Sequence, residues 1–164
     1  MATDNASLRS GLSAAYEMRE ASGNLSDWIA SLTATMTDGT YDQAGPGVNK
    51  AITLNGSTGK AAIVDTAALT FSTNHFAIEV WASSTSGGVF LQCGSSAAAR
   101  SQLYIDTNGL QTAINDGTNS YANAQPGATD LDGVLRQYVL VIDRTANVLQ
   151  AYRNAAQVGA DVSI

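Results

Sequence analysis

"HFAIEVWASS", residues 75–84, sets Phe76, Ile78, Val80 and Ala82 in strict alternation with Ala77, Glu79 and Trp81, the period-two pattern of a β-strand with two unlike faces. One face is apolar throughout. The other places a carboxylate two residues from an indole, about 7 Å along a strand. Working outward, the same alternation returns. "RQYVLVIDR" (136–144) and "NVLQAYRN" (147–154) predict a hairpin whose turn is bracketed by Asp143 and Asn147. "SQLYIDTNGLQTAINDG" (101–117) predicts another around Asn108-Gly109, a dipeptide suited to the left-handed backbone of tight hairpins. "LSAAYEM" (12–18), "SLTATMTDG" (31–39), "GGVFLQCGS" (87–95) and the weaker "NSYANAQ" (119–125) read as further strands. "KAITLNG" (50–56) and "KAAIVD" (60–65) read as a hairpin around Asn55–Gly59, and "GPG" (45–47) breaks the chain before them.

About ten short strands with almost no helical periodicity predict an all-β fold, an antiparallel β-sandwich or barrel. The one helical candidate, "GATDLDGVLR" (127–136), reads better as a loop with a single turn. A chain of 164 residues is long enough for one domain with a real core. The expected division is a polar lead over 1–9 and one β-sandwich domain over 10–164, with no linker or repeat of fixed period.

Charged residues make up only 13% of the chain against 45% hydrophobic, so the surface is built from small polar side chains rather than ion pairs. That suits a secreted or virion protein. Eight basic and fourteen acidic residues leave a net charge of −6 without a basic cluster, which argues against nucleic acid or an anionic membrane as partner. The start "MATDNASLRSGLSAAYEM" lacks a basic region followed by an apolar one. No apolar run approaches the roughly 18 residues of a membrane span. Cys93 is the single cysteine, and with no partner histidine evident it reads as a small buried hydrophobe.

The succession "GLSAAYEMREASGN", "GPGVNKAITLNGSTGKAAIVDTAALTFSTNHFAIEVWAS", "LYIDTNGLQTAINDG" and "RQYVLVIDRTANVLQAYRN" resembles the laminin G-like jelly-roll modules of the concanavalin A-like lectin/glucanase superfamily. The resemblance runs from about Ser10 to the C-terminus. It implies two curved antiparallel sheets packed face to face, and it carries no single activity. Such modules bind glycans, mediate adhesion, or form parts of bacterial surface proteins and phage virions. Two departures matter. The family usually adds strands beyond the "AYRN" hairpin, so the sandwich is expected to be short at its C-terminal edge, and an unpaired edge invites association. Asn55 also replaces an aspartate that helps some members hold Ca²⁺.

Glycoside hydrolysis needs two carboxylates, about 5 to 9.5 Å apart. Glu79 has only Ala77 and Trp81 as same-face neighbours on its strand, so no enzyme is expected. His75, the single histidine, reads as a surface residue at a strand start, because no G-x-S-x-G elbow accompanies it. "IDTNG" (105–109), "INDGTN" (114–119) and "TDLDG" (129–133) offer oxygens for Ca²⁺, yet hairpin turns demand the same residues, and no cofactor is expected. The candidate ligand or partner surface comprises Trp28, Glu79, Trp81 and Tyr121. The first functional expectation is a non-catalytic bacteriophage virion component, a capsid decoration or tail-associated protein docking on other virion proteins or on copies of itself. The alternative is a carbohydrate-binding module of a larger secreted or surface protein, meeting a cell-surface glycan.

Overall fold

Alternation becomes strand pairing in the computed structural model, which describes residues 12–45, 50–64, 74–96, 99–106, 109–115, 120–124 and 130–164. Every strand pair is antiparallel. The chain is all-β, with no helix among the described residues. It divides into two compact units, Met1–Ser72 and Thr73–Ile164.

In the first unit, β1 (Leu25–Ser26), β2 (Thr33–Thr37) and β5 (Lys60–Ile63) form one sheet in the order β1-β2-β5. The strands β3 (Gly39–Ala44) and β4 (Lys50–Leu54) form a second. This pairing corrects one expectation. "KAITLNG" and "KAAIVD" do not pair with each other: Leu54 faces Gly39, whereas Lys60 faces Thr37. Residues 33–44 and 50–63 therefore make one long interrupted ribbon. At its break a single residue, Asp38 (φ 49°), stands opposite the Asn55–Gly59 loop.

The reason lies in Asn55. Its Oδ1 accepts the backbone N–H groups of Ser57, Thr58 and Gly59 at 3.0, 2.9 and 2.7 Å. Its Nδ2 donates to Thr58 Oγ1 at 2.9 Å, and that hydroxyl donates to Asp38 Oδ2 at 2.5 Å. An amide supplies both an acceptor and a donor here, which a carboxylate could not. The loop closes on its own side chain, so the Asn-Gly signal marks an excursion rather than a hairpin end. At Gly59 a Cβ would lie 2.8 Å from the Asn55 backbone nitrogen and 3.0 Å from the Asp38 carbonyl oxygen. Gly59→Ala is expected to cost about 2 kcal/mol by overpacking, read as a lowered urea midpoint at unchanged slope.

The strand expected at "LSAAYEM" is also corrected. Only Tyr16 makes a bridge, to Asp27, because the Ala15 N–H is taken by a side chain instead of continuing a ladder. Ala15 N–H donates to Asp27 Oδ1 at 2.6 Å and its carbonyl accepts Trp28 N–H at 3.2 Å.

The second unit holds β6 (Phe76–Ala82), β7 (Gly88–Ser96), β8 (Ala99–Asp106), β9 (Gly109–Asn115), β10 (Ser120–Ala124), β11 (Arg136–Asp143), β12 (Val148–Arg153) and β13 (Ala156–Ser163). They form two four-stranded sheets, ordered β10-β9-β8-β7 and β13-β12-β11-β6. Leu110 and Ile114 of the first sheet share one buried core with Tyr138, Leu140, Ile142, Leu149 and Ala151 of the second. Phe76, Val80 and Val158 pack against its margin. The two strands read on either side of "TNG" pair with each other, Asp106 opposite Gly109, while residues 107–108 lie outside the described residues. The hairpin between Asp143 and Val148 is present.

β13 lay hidden in the sequence. Its turn uses Asn154 (φ 49°) and Ala155 (φ 64°), the left-handed pair of a tight hairpin without the glycine that would announce it. The Asn154 side chain compensates by accepting Gln137 N–H at 3.0 Å. β13 also carries an irregularity. Leu149 pairs with Val162 and Ala151 with Val158, so three residues, Gly159 to Asp161, stand opposite Gln150 alone. Gly159 adopts φ 77° within this bulge, a conformation that costs a residue with a Cβ.

Candidate functional site

Because Ile78 is buried, the period-two rule sends Glu79 and Trp81 to the opposite, outer face of β6. Antiparallel register then places Gln137 of β11 directly across from Trp81, and Val139 across from Glu79. Trp81 Nε1 donates to Glu79 Oε1 at 3.0 Å, and Gln137 Nε2 donates to the same oxygen at 2.8 Å. The indole is 48% exposed, yet its edge is pinned. Glu79 is exposed, and both bonds fall on Oε1.

A second polar group occupies the far side of the same face. Asp161 Oδ1 accepts Gln150 Nε2 at 2.9 Å and Gln157 Nε2 at 2.6 Å. Tyr152 Oη donates to Gln150 Oε1 at 3.2 Å. The bulge aims Asp161 into this cluster, as bulges commonly re-aim a side chain. Between the two groups lie the half-buried Val139, Val141 and Tyr152.

At the end of this face, Asp143 Oδ1 accepts the N–H groups of Ala146 and Thr145 at 3.0 and 2.8 Å, and His75 Nδ1 lies 3.2 Å away. The Ala146 N–H first, then that of Thr145 and the imidazole, outweigh desolvation and hold the Asp143 carboxyl below its ordinary value. The Arg144 N–H lies 3.1 Å from the same ring nitrogen, so His75 sits against the β11–β12 turn at the surface position read for it in the sequence.

The other expected residues lie elsewhere. Trp28 belongs to the first unit and is 39% exposed, on a loop organised by the buried Asp27. That carboxylate accepts N–H groups from Ala15, Ala30, Ile29 and Leu32 at 2.6, 2.6, 3.0 and 3.4 Å. Burial alone would raise its pKa, but the four donors together lower it. Tyr121 is on β10, in the other sheet of the second unit, with its side chain outside the described residues. The side chain of Cys93, on β7, is outside them too.

Of the loops read for Ca²⁺, "IDTNG" and "INDGTN" fall largely outside the described residues. In "TDLDG" both described acids face guanidinium groups. Asp132 makes two 2.7 Å bonds to Arg136, which hold its carboxyl well below the usual range and push the guanidinium further up. The buried Asp130 accepts Arg153 Nη1 at 2.6 Å, with Arg136 Nε 3.7 Å from the same oxygen. No group of three or more metal-ligating side chains occurs among the described residues.

The sequence exposed Glu79 and Trp81 because they share one strand. Gln137, Gln150, Tyr152, Gln157 and Asp161 escaped it, since only strand register brings them to this face.

No protein-family model and no curated protein matches the sequence. Among solved structures the chain is similar to a fragment, residues 221–444, of an S-layer domain-containing protein from Clostridium thermocellum. The two are 18% identical with a TM-score of 0.54, over 89% of this chain and 70% of that one. At that identity the likeness concerns the fold alone.

Proposed function

We propose that the chain is a non-catalytic carbohydrate-binding module of a secreted or cell-surface protein, with the sugar stacked on Trp81. The observation that carries this reading is the exposed indole fixed by its N–H to Glu79, beside the Gln137 amide. A sugar ring offers an apolar face to an aromatic and hydroxyls to carboxylate and amide groups, and a pinned ring loses little freedom on binding. The resemblance to laminin G-like modules supports it. So does the likeness to an S-layer domain-containing protein, which favours a surface setting over virion docking.

Carboxylate spacing supports binding without cleavage. Asp161 stands three inter-strand spacings from Glu79, about 14 Å, and Asp143 lies about 13 Å along the sheet. Both exceed the 5 to 9.5 Å that glycosidases use. The test is native electrophoresis in gels containing neutral soluble polysaccharides. Retardation is expected for the parent chain and for Trp28→Ala, and Trp81→Ala should weaken it by about tenfold or more. Unchanged retardation of Trp81→Ala, or none for the parent on neutral β-glucan, xylan and glycol chitin, would sink the reading. No polysaccharide shortening is expected, and cleavage lost on Glu79→Gln would overturn the non-catalytic assignment.

A further inference from the structure

We infer that this face takes an extended, uncharged glycan chain lying across the strands, from Trp81 on β6 to the Asp161 bulge on β13, rather than a single sugar. This rests on the carbohydrate-binding reading and names the ligand class for the same face. Two polar groups flank the sheet, and they are built alike. Each carboxylate is fixed through one oxygen by two N–H donors, from Trp81 and Gln137 on one side and from Gln150 and Gln157 on the other. Each has its second oxygen as a further acceptor for ligand hydroxyls. Their separation, about 14 Å across three strand intervals, is more than one sugar ring can bridge.

The floor between them suits a chain. Val139, Val141 and Tyr152 are half-buried, a floor of strand residues that runs from one polar group to the other. Charge narrows the ligand further. Arg136 and Arg153 turn inward to Asp130, so the described residues between Trp81 and Asp161 offer carboxylates and amides, and the imidazole at the end of the face, His75, is engaged with Asp143. An anionic polysaccharide would find no counter-charge among them and would meet repulsion from a chain of net charge −6.

The experiment is titration calorimetry with β-1,4-linked glucose and β-1,4-linked N-acetylglucosamine oligosaccharides of two to six units, with polygalacturonate as the anionic control. Affinity should rise by about tenfold or more from dimer to hexamer in at least one ladder. Gln157→Ala should lower hexamer affinity about tenfold while leaving the dimer unchanged. Trp81→Ala should weaken both. Gln157 is exposed, so its variant is expected to stay folded, and Gln150→Ala, probing the same cluster, provides a second one. Equal affinity for dimer and hexamer, or tight binding of polygalacturonate, overturns the extended-chain inference while Trp81-dependent binding keeps the broader reading standing. Absence of binding to both ladders, with retardation on the polysaccharide gels retained, also overturns the inference alone. Absence in both experiments overturns the two together.

Discussion

Asp130→Ala is expected to lower the stability of the second unit by about 3 kcal/mol. The carboxylate is 2% exposed and binds Arg153 at 2.6 Å with Arg136 close by. Removing it strands the Arg153 guanidinium, whose side chain is only 34% exposed, at the edge of a core that includes the fully buried Tyr138. Burial first, and then the charge of Asp130, push the Tyr138 hydroxyl upward, so the two sit within electrostatic reach. Loss of one member of a buried pair costs more than the pair contributes, because the other charge stays desolvated. Arg136 keeps its two bonds to Asp132, which places the estimate at the lower end. Urea unfolding followed by Trp81 fluorescence in a Trp28→Phe background would measure it. Asp132→Ala is the control, since Asp132 is itself 43% exposed and Arg136 keeps the buried Asp130 beside it at 3.7 Å, and pairs with an exposed member contribute less. Equal losses in the two variants would show that burial of Asp130 is not the cause.

Asp27→Ala should be comparably costly in the first unit, about 3 kcal/mol. Four backbone N–H groups converge on a carboxylate that is 4% exposed, and alanine leaves them unsatisfied together. The same residue sets an acid limit. Its folded pKa is lowered, so its contribution is complete above the unfolded carboxyl value of about 3.9 and is lost as pH falls through the folded value. Trp28 fluorescence in a Trp81→Phe background should therefore report weakening of the first unit below about pH 4. Asp27→Asn should flatten that dependence, having no proton to gain, and should be less stable at neutral pH. An acid transition of unchanged position in Asp27→Asn would assign it to other groups.

Much of the fold was legible where alternation was strict. β6, β11 and β12 each place large apolar residues on one face, and burial of that face fixes the strand. Legibility failed where polar side chains, rather than burial, settle the backbone. Nothing in "LSAAYEM" says that Asp27 will take the Ala15 N–H, and nothing in "LNGSTG" says that Asn55 will seal the loop on itself. β13 was missed for a third reason. With Gly159 in a bulge and an exposed face on an edge strand, it lacks the pattern that burial writes into a sequence. The candidate site divides the same way, with Glu79 and Trp81 visible as neighbours and their partners dependent on register.

Asp27 and Asn55 share a consequence for how the two units respond to temperature. Among the described residues, the buried apolar side chains of the first unit are Leu25 and Ala34, whereas the main apolar core belongs to the second. One side chain serving several backbone donors does there what an opposing strand or an apolar core does elsewhere. Heat capacity of unfolding follows exposed apolar area and is reduced by polar area. The first unit should thus melt with the smaller heat-capacity step per residue and a flatter stability curve. The second should carry the stronger curvature and the greater loss of stability on cooling.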